Sequence, residues 1–225
     1  MAGRDKLDVT KAPALPFAPV QYDRTYQDTT HNILRQYFNT LDNVTGQLLA
    51  NAGGHFLSFP HIAAQDSTDQ YATANNVATK VLWDTLDSGL GFTLNPNSTA
   101  TPEYTGVYKI DYSLQFVNND NVAHNAFVWL QVDGVDVVGS ASKFSIPARK
   151  SVGNDAYVVA YSSITFTVTG GAEVALYWAT SQAATLSPAV DGVYMEAYPA
   201  QTSPFAMPSI PSAIGAIVFV SGVVT

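Results

Sequence analysis

Residues 104–116 read YTGVYKIDYSLQF, and from Tyr108 onward every second position is large and apolar: Tyr108, Ile110, Tyr112, Leu114 and Phe116. Lys109, Asp111, Ser113 and Gln115 fill the alternate positions. Strand side chains point to opposite faces in turn, so this period of two predicts a strand with one apolar and one polar face. Further strands are expected at 81–83, 92–94, 123–132, 135–138, 142–146, 157–161, 164–168, 174–178, 193–198 and 214–221. Asp133-Gly134 between two of these runs suits the positive φ of a type I′ hairpin turn. Eight to ten short strands with no helix between them predict an antiparallel sandwich or jelly roll over 79–225. One strand breaks the simple alternation. If Val128 and Leu130 point inward, Phe127 and Trp129 point outward, and a strand apolar on both faces needs a second cover. In a sandwich that cover is usually another subunit.

Upstream the pattern changes. Residues 1–21 hold Pro13, Pro16 and Pro19, and proline at this density predicts an extended arm. Over 22–50, Leu34, Tyr37, Leu41, Val44 and Leu48 follow one another at spacings of three and four, the stripe of a heptad helix. Ile33, Phe38 and Leu49 broaden it, and the backward extension to Gln27 and Thr30 is polar. Such a helix is marginal alone, so its stripe must pack on something. Two readings stand open: packing on the chain's own β domain, or self-association or docking through Leu34, Tyr37, Phe38, Leu41, Val44 and Leu48. Residues 51–54, NAGG, terminate the helix, and 51–78 is expected to be a polar linker.

Eighteen acidic against ten basic residues give a net charge of −8, and the bases are scattered, which argues against a nucleic-acid partner. Charged residues make up only 12% of the chain, so the surface is expected to be neutral and polar or covered by neighbouring subunits. There is no cysteine, hence no disulfide, thiolate metal site or cysteine nucleophile. The charged N-terminus lacks the apolar core of a secretory signal, and the longest apolar run, 214–220, is far short of the roughly 20 residues of a spanning helix. Neither export nor a membrane partner is expected. His31, His55, His61 and His124 lack zinc-site spacing; His55 and His61 with Asp66 and Asp69 form at most a weak metal candidate. No nucleophile elbow, phosphate loop or dinucleotide fingerprint occurs, and Asp84, Asp87, Asp111, Asp133 and Asp136 read as solvated acids. No enzyme activity, catalytic residue, cofactor or metal is expected. Trp83, Trp129 and Trp178 fall in expected strands, and Tyr194 and Tyr198 share a face of another. Core packing and a sugar-stacking platform are the two readings of these aromatics.

Gly106-Val-Tyr108 opening a long alternating strand resembles the G-x-Y strand of the C1q/TNF-like jelly roll, and the strand after Pro211 resembles that fold's closing strand. A wider resemblance is to small virion proteins of tailed bacteriophages. It rests on PFAPVQYDR at 16–24, YQD at 26–28 and NILRQYFN at 32–39. It continues through TGVYKIDYSLQFVN at 105–118, FVWLQVDGVDVVGSASKFSIP at 127–147, and EAYPAQTSP and PSIPS at 196–204 and 208–212. The resemblance implies a mainly β chain, a C1q/TNF-like antiparallel jelly-roll sandwich with an N-terminal extended arm and α-helix. It implies a non-enzymatic phage virion structural protein, a homotrimeric head-decoration protein or surface knob, made in the host cytoplasm and mounted by arm and helix. Other virion proteins of capsid, neck or tail would be its partners. Tyr108, Tyr112, Phe127, Trp129, Tyr194 and Tyr198 are the candidates for the trimer interface. The alternative is a receptor-binding fibre or tail-tip protein that recognises a host surface glycan.

Overall fold

The structure is a computed structural model, and it describes residues 13–17, 20–49, 59–186 and 189–222. The chain divides into two compact units, Met1–Ser58 and Phe59–Thr225.

The first unit carries helix α1 (Arg24–Leu49). Asp23 caps its start: the Thr25 N–H donates to Asp23 Oδ1 at 2.8 Å, satisfying one of the free amides of the first turn. The Tyr26 hydroxyl donates to the Pro16 carbonyl at 3.1 Å and fastens the described part of the arm to the helix start. The terminating NAGG stretch lies outside the described residues.

The second unit is built of strands β1 (His61–Asp66), β2 (Gln70–Tyr71), β3 (Thr79–Lys80), β4 (Thr85–Leu90), β5 (Phe92–Leu94), β6 (Ala100–Pro102), β7 (Gly106–Asn118) and β8 (His124–Val132). Then follow β9 (Val135–Asp136), β10 (Ser142–Ile146), β11 (Ala156–Val168), β12 (Val174–Thr180), β13 (Thr185–Leu186), β14 (Ala189–Val190), β15 (Val193–Met195) and β16 (Ala213–Ser221). One sheet runs β2-β15-β7-β16-β1-β4, with β11 on the other side of β7; the second runs β10-β8-β12-β6-β5, with β3 on β12 and β9 on β8. The pairings within both sheets are antiparallel, and the chain crosses between the sheets so that the first and last of the described strands, β1 and β16, lie side by side. This is an antiparallel jelly-roll sandwich, as the alternation and turn signals of the sequence predict.

The core fills the space between the sheets. Tyr108, Ile110, Tyr112, Leu114 and Phe116 of β7 face Val128, Leu130, Leu176 and Trp178 of the other sheet. Phe116 and Trp178 meet at 5.4 Å. Tyr108 lies between Phe92 and Phe219, with ring centroids 5.3 and 5.4 Å away, and its hydroxyl donates to the Tyr104 carbonyl at 2.8 Å. Tyr108 and Tyr112, expected at a subunit interface, are thus core residues, 0% and 1% exposed; the apolar face of β7 presses against its own opposite sheet. Gly106 has a packing reason: a Cβ there would lie 2.6 Å from the Phe219 ring and 3.0 Å from the Ser221 carbonyl. Asp133 and Gly134 both take positive φ, as the expected hairpin turn requires.

Three local expectations are corrected. The stretch read as linker contains β1 and β2, and the β unit begins at Phe59. The buried positions of β1 are Ile62, Ala64 and Asp66, too small and polar a set to show as an apolar alternation. Residues 81–83 are not a strand: Val81 is buried, but Leu82 and Trp83 give their amides to the side chains of Gln70 and Ser98 rather than to a neighbouring strand. The two strands expected at 157–161 and 164–168 are one, β11.

Candidate assembly surface

The outer face of the first sheet is assembled from side chains that point away from the core. On β11 the row is Tyr157, Val159 and Tyr161, 62%, 59% and 62% exposed, continuing into Ser163, Thr165 and Thr167. Two strands away, β16 presents Ile214, Val218 and Val220, all exposed. Between them β7 turns Lys109, Asp111, Ser113 and Gln115 outward. Register places Tyr161 beside Ser113 and Ser113 beside Ile214, and Thr165 beside Lys109 and Lys109 beside Val218. The face therefore has a polar centre flanked by two apolar rows. Lys109 Nζ is 2.9 Å from Asp111, and the Tyr161 hydroxyl reaches the same carboxylate at 3.4 Å. Burial pushes the Asp111 carboxyl up, but the bonds from Lys109, Ser163 and Tyr161 outweigh it and hold it below its ordinary value.

β11 is also unusual as an edge. It pairs with β7 over all thirteen residues without a bulge, and no described strand covers its other side. It contains no charged residue and no proline. Sheet edges left open to solvent normally carry such devices to prevent pairing with another chain.

At one end of this face a row crosses the sheet from Tyr157 through Val117 to Tyr194 and Tyr71. Tyr71 and Tyr194 stack at 5.2 Å, and the Tyr194 hydroxyl lies 3.3 Å from Glu196 Oε1. Burial raises the Glu196 carboxyl, and Asp69 and Asp155 raise it further against the pull of Tyr194. Tyr194 packs in a small cluster with Val117 and Ala184, whereas Tyr198 is exposed and bridges to Ile210.

The second sheet's outer face carries Phe127 and Trp129, and the inward position of Val128 and Leu130 follows the expected alternation. Trp129 stacks on Tyr177 at 6.1 Å and donates Nε1–H to Asp136 at 2.7 Å; Lys80 lies 5.9 Å from the Tyr177 ring, and Lys143 5.8 Å from that of Phe127. Tyr177 is thus flanked by Trp129 on one neighbouring strand and Lys80 on the other. These rings are already engaged by side chains of their own sheet, which leaves this face less open than the first.

At the loop end, His124 Nε2 is 2.7 Å from Asp120 and His124 Nδ1 is 3.5 Å from the Ser181 hydroxyl, which also accepts the Asn125 N–H at 3.1 Å. The His124 bond holds the Asp120 carboxyl below its ordinary value. Arg149 joins the same loops by pairing with Asp191 at 2.9 Å and donating to the Asn119 carbonyl. The arrangement ties the β7–β8 connection to the strand end at Ser181. His61, the described histidine of the weak metal candidate, is bonded to the Phe59 carbonyl and the Ser88 hydroxyl; His55 lies outside the described residues. Among the described residues no group of three or more histidines and acids is arranged to hold a metal. Among the same residues no helix is long and apolar enough to cross a membrane.

On α1, Leu34, Tyr37 and Val44 are half-buried, while Phe38 and Leu41 are exposed; the side chain of Leu48 lies outside the described residues. The sequence reading missed Tyr157, Val159, Tyr161, Ile214, Val218 and Val220. The signal was present in 156–168, where Val158, Ala160, Ile164 and Phe166 make the intervening positions apolar as well.

No protein-family model matches the chain, and no curated protein matches it. Among solved structures it is similar to the Eiger TNF of S. frugiperda, with 14% identity over 75% of this chain and 97% of that one and a TM-score of 0.43.

Proposed function

We propose that this chain is a non-enzymatic structural protein that works as a closed ring of three copies, each placing its β11 edge against the outer face of the next. The observation that carries the reading is β11: a thirteen-residue, uncharged, bulge-free edge strand with Tyr157, Val159 and Tyr161 open to solvent. Burying those side chains against the Ile214, Val218 and Val220 row stabilises the ring by about 25 cal/mol per Å² of apolar surface covered. An edge packed on a face is a heterologous contact. Such contacts end only when the ring closes, and three copies make the smallest ring. Lys109 and Asp111 in the middle of the face give the contact a polar element that fixes its direction.

The virion resemblance of residues 16–39 supports a place for the trimer on a tailed-phage particle, as a decoration protein or surface knob held there by its N-terminal unit. Light scattering on the eluted full chain is expected to give about three times the 24.0 kDa chain mass. Tyr161→Lys and Val218→Lys are expected to give single chains with unchanged far-ultraviolet circular dichroism. A single-chain mass for the unaltered protein overturns the trimer. Antibodies against the β unit are expected to decorate intact particles, and unlabelled particles overturn the virion placement.

A further inference from the structure

We infer that α1 forms a parallel three-stranded coiled coil with the helices of two other copies; this rests on the trimer reading above. Setting Leu34 at heptad position a places Gln27 and Leu41 at a as well, and Thr30, Tyr37 and Val44 at d. As far as Gly46 the described residues at b, c and f are polar or glycine and exposed: Asp28, Arg35 and Asp42 at b; Thr29, Gln36 and Asn43 at c; Asn32, Asn39 and Gly46 at f; the last helix residue, Leu49, is the apolar exception at b. The flanking positions widen the seam instead of bounding it, since Ile33 falls at g and Phe38 at e, and Phe38 is 54% exposed.

Three features select copies of the same helix and the number three. In the heptad of Leu41 and Val44, leucine at a with a β-branched residue at d reverses the pattern that favours two strands and shifts preference to three or four, and the bulky Tyr37 holds the d position of the heptad before it. Apolar e and g positions are covered better in a three-stranded core than in a pair. From His31 onward the described e and g positions, His31, Phe38 and Thr45 with Ile33 and Thr40, carry no acidic or strongly basic side chain, and the one charge in the series, Arg24 at the first e position, pairs with Asp28 of its own helix at 3.7 Å. Nothing there directs pairing to a charged partner, and identical helices meet without like-charge repulsion. The polar pair Gln27 and Thr30 at the helix start provides a layer that fixes register at some cost in stability.

Two apolar heptads are weak by themselves. Joined in one chain to a β unit that also forms a trimer, they associate at the high effective concentration that a shared assembly gives, and each contact reinforces the other.

The absence of cysteine makes the test direct, because an introduced thiol is the chain's sole one. Thr30→Cys and Val44→Cys at d, with Asn32→Cys and Asn39→Cys at f, are made in the full chain and oxidised. Both d variants are expected to give covalent pairs with about one thiol in three left free, since a ring of three joins only two; both f variants are expected to stay uncrosslinked. Thr30→Cys reports direction, because in an antiparallel bundle its equivalents lie at opposite ends. Light scattering on the same samples before oxidation separates the failures. A three-chain mass without crosslinking at d overturns the coiled coil alone, and a single-chain mass overturns the trimer reading with it. Complete loss of free thiol overturns the number three, and equal crosslinking at d and f overturns the register.

Discussion

At the scale of single residues, the two tyrosines on the inner face of β7 differ in what their hydroxyls do. The Tyr108 hydroxyl has a defined acceptor, so Tyr108→Phe is expected to cost about 1 kcal/mol in urea unfolding. Trp178 is fully buried against Phe116, and Trp178→Ala is expected to cost about 3–5 kcal/mol in the same measurement. Glu196 tests the acid-rich corner. Its carboxyl titrates above the ordinary value near 4.5 in the folded chain, so its contribution is most favourable below that pH. The contribution is lost as pH rises through the folded value. Asp111 and Asp120 have the opposite sign: their contributions are present above about 3.8 and are lost as pH falls below it. Glu196→Gln is therefore expected to raise stability more at pH 7 than at pH 4, read from denaturant midpoints at both; an equal change at the two values would contradict the assignment. Tyr108 and Tyr112 also mark a limit of sequence reading. Alternation shows that they share an apolar face but not whether that face meets the opposite sheet or another molecule.

At the scale of elements, legibility followed the strength of the local signal. β7 was readable because large apolar residues alternate with polar ones, and β8, β10 and β12 because apolar runs stand between turn signals such as Asp133-Gly134 and Gly170-Gly171. β1 escaped because its inward positions carry alanine and aspartate, and β4 because all six of its residues are exposed. The join of 157–161 to 164–168 was hidden by Ser162 and Ser163, which read as a break yet sit in continuous register opposite Tyr112 and Asp111. Gly106 is legible only in three dimensions, since the reason for it is the Phe219 ring and the Ser221 carbonyl, more than a hundred residues away. Gly106→Ala is expected to destabilise the β unit by about 1–3 kcal/mol, measured by thermal or urea unfolding. In the first unit, Asp23→Ala removes the cap on α1 and is expected to cost the helix about 1 kcal/mol, seen as lost helical dichroism on heating.

At the scale of the whole molecule, the candidate assembly surface was half visible. The guide was the rule that a strand apolar on both faces needs a second cover. It was applied to Trp129, whose sheet engages its rings internally, and not to β11, where the exposed aromatic row lies. The difference lies in neighbours that sequence does not place: Tyr177, Lys80 and Asp136 gather round Trp129, while Tyr157 and Val159 stand beside Val117 and Gln115. If trimer formation is linked to folding, thermal stability rises with protein concentration, because mass action favours the associated state. A melting temperature that stays constant over a hundredfold dilution would speak against that linkage.

The uncharged margin of β11 also sets a race during synthesis. A newly released copy offers a strand that will accept any extended segment, its own siblings included, in an unlimited stack as readily as in a finite ring. Which outcome prevails depends on how fast a ring of three closes relative to further addition, and because an open stack consumes many more copies, high expression favours fibrous deposits while dilution favours single chains.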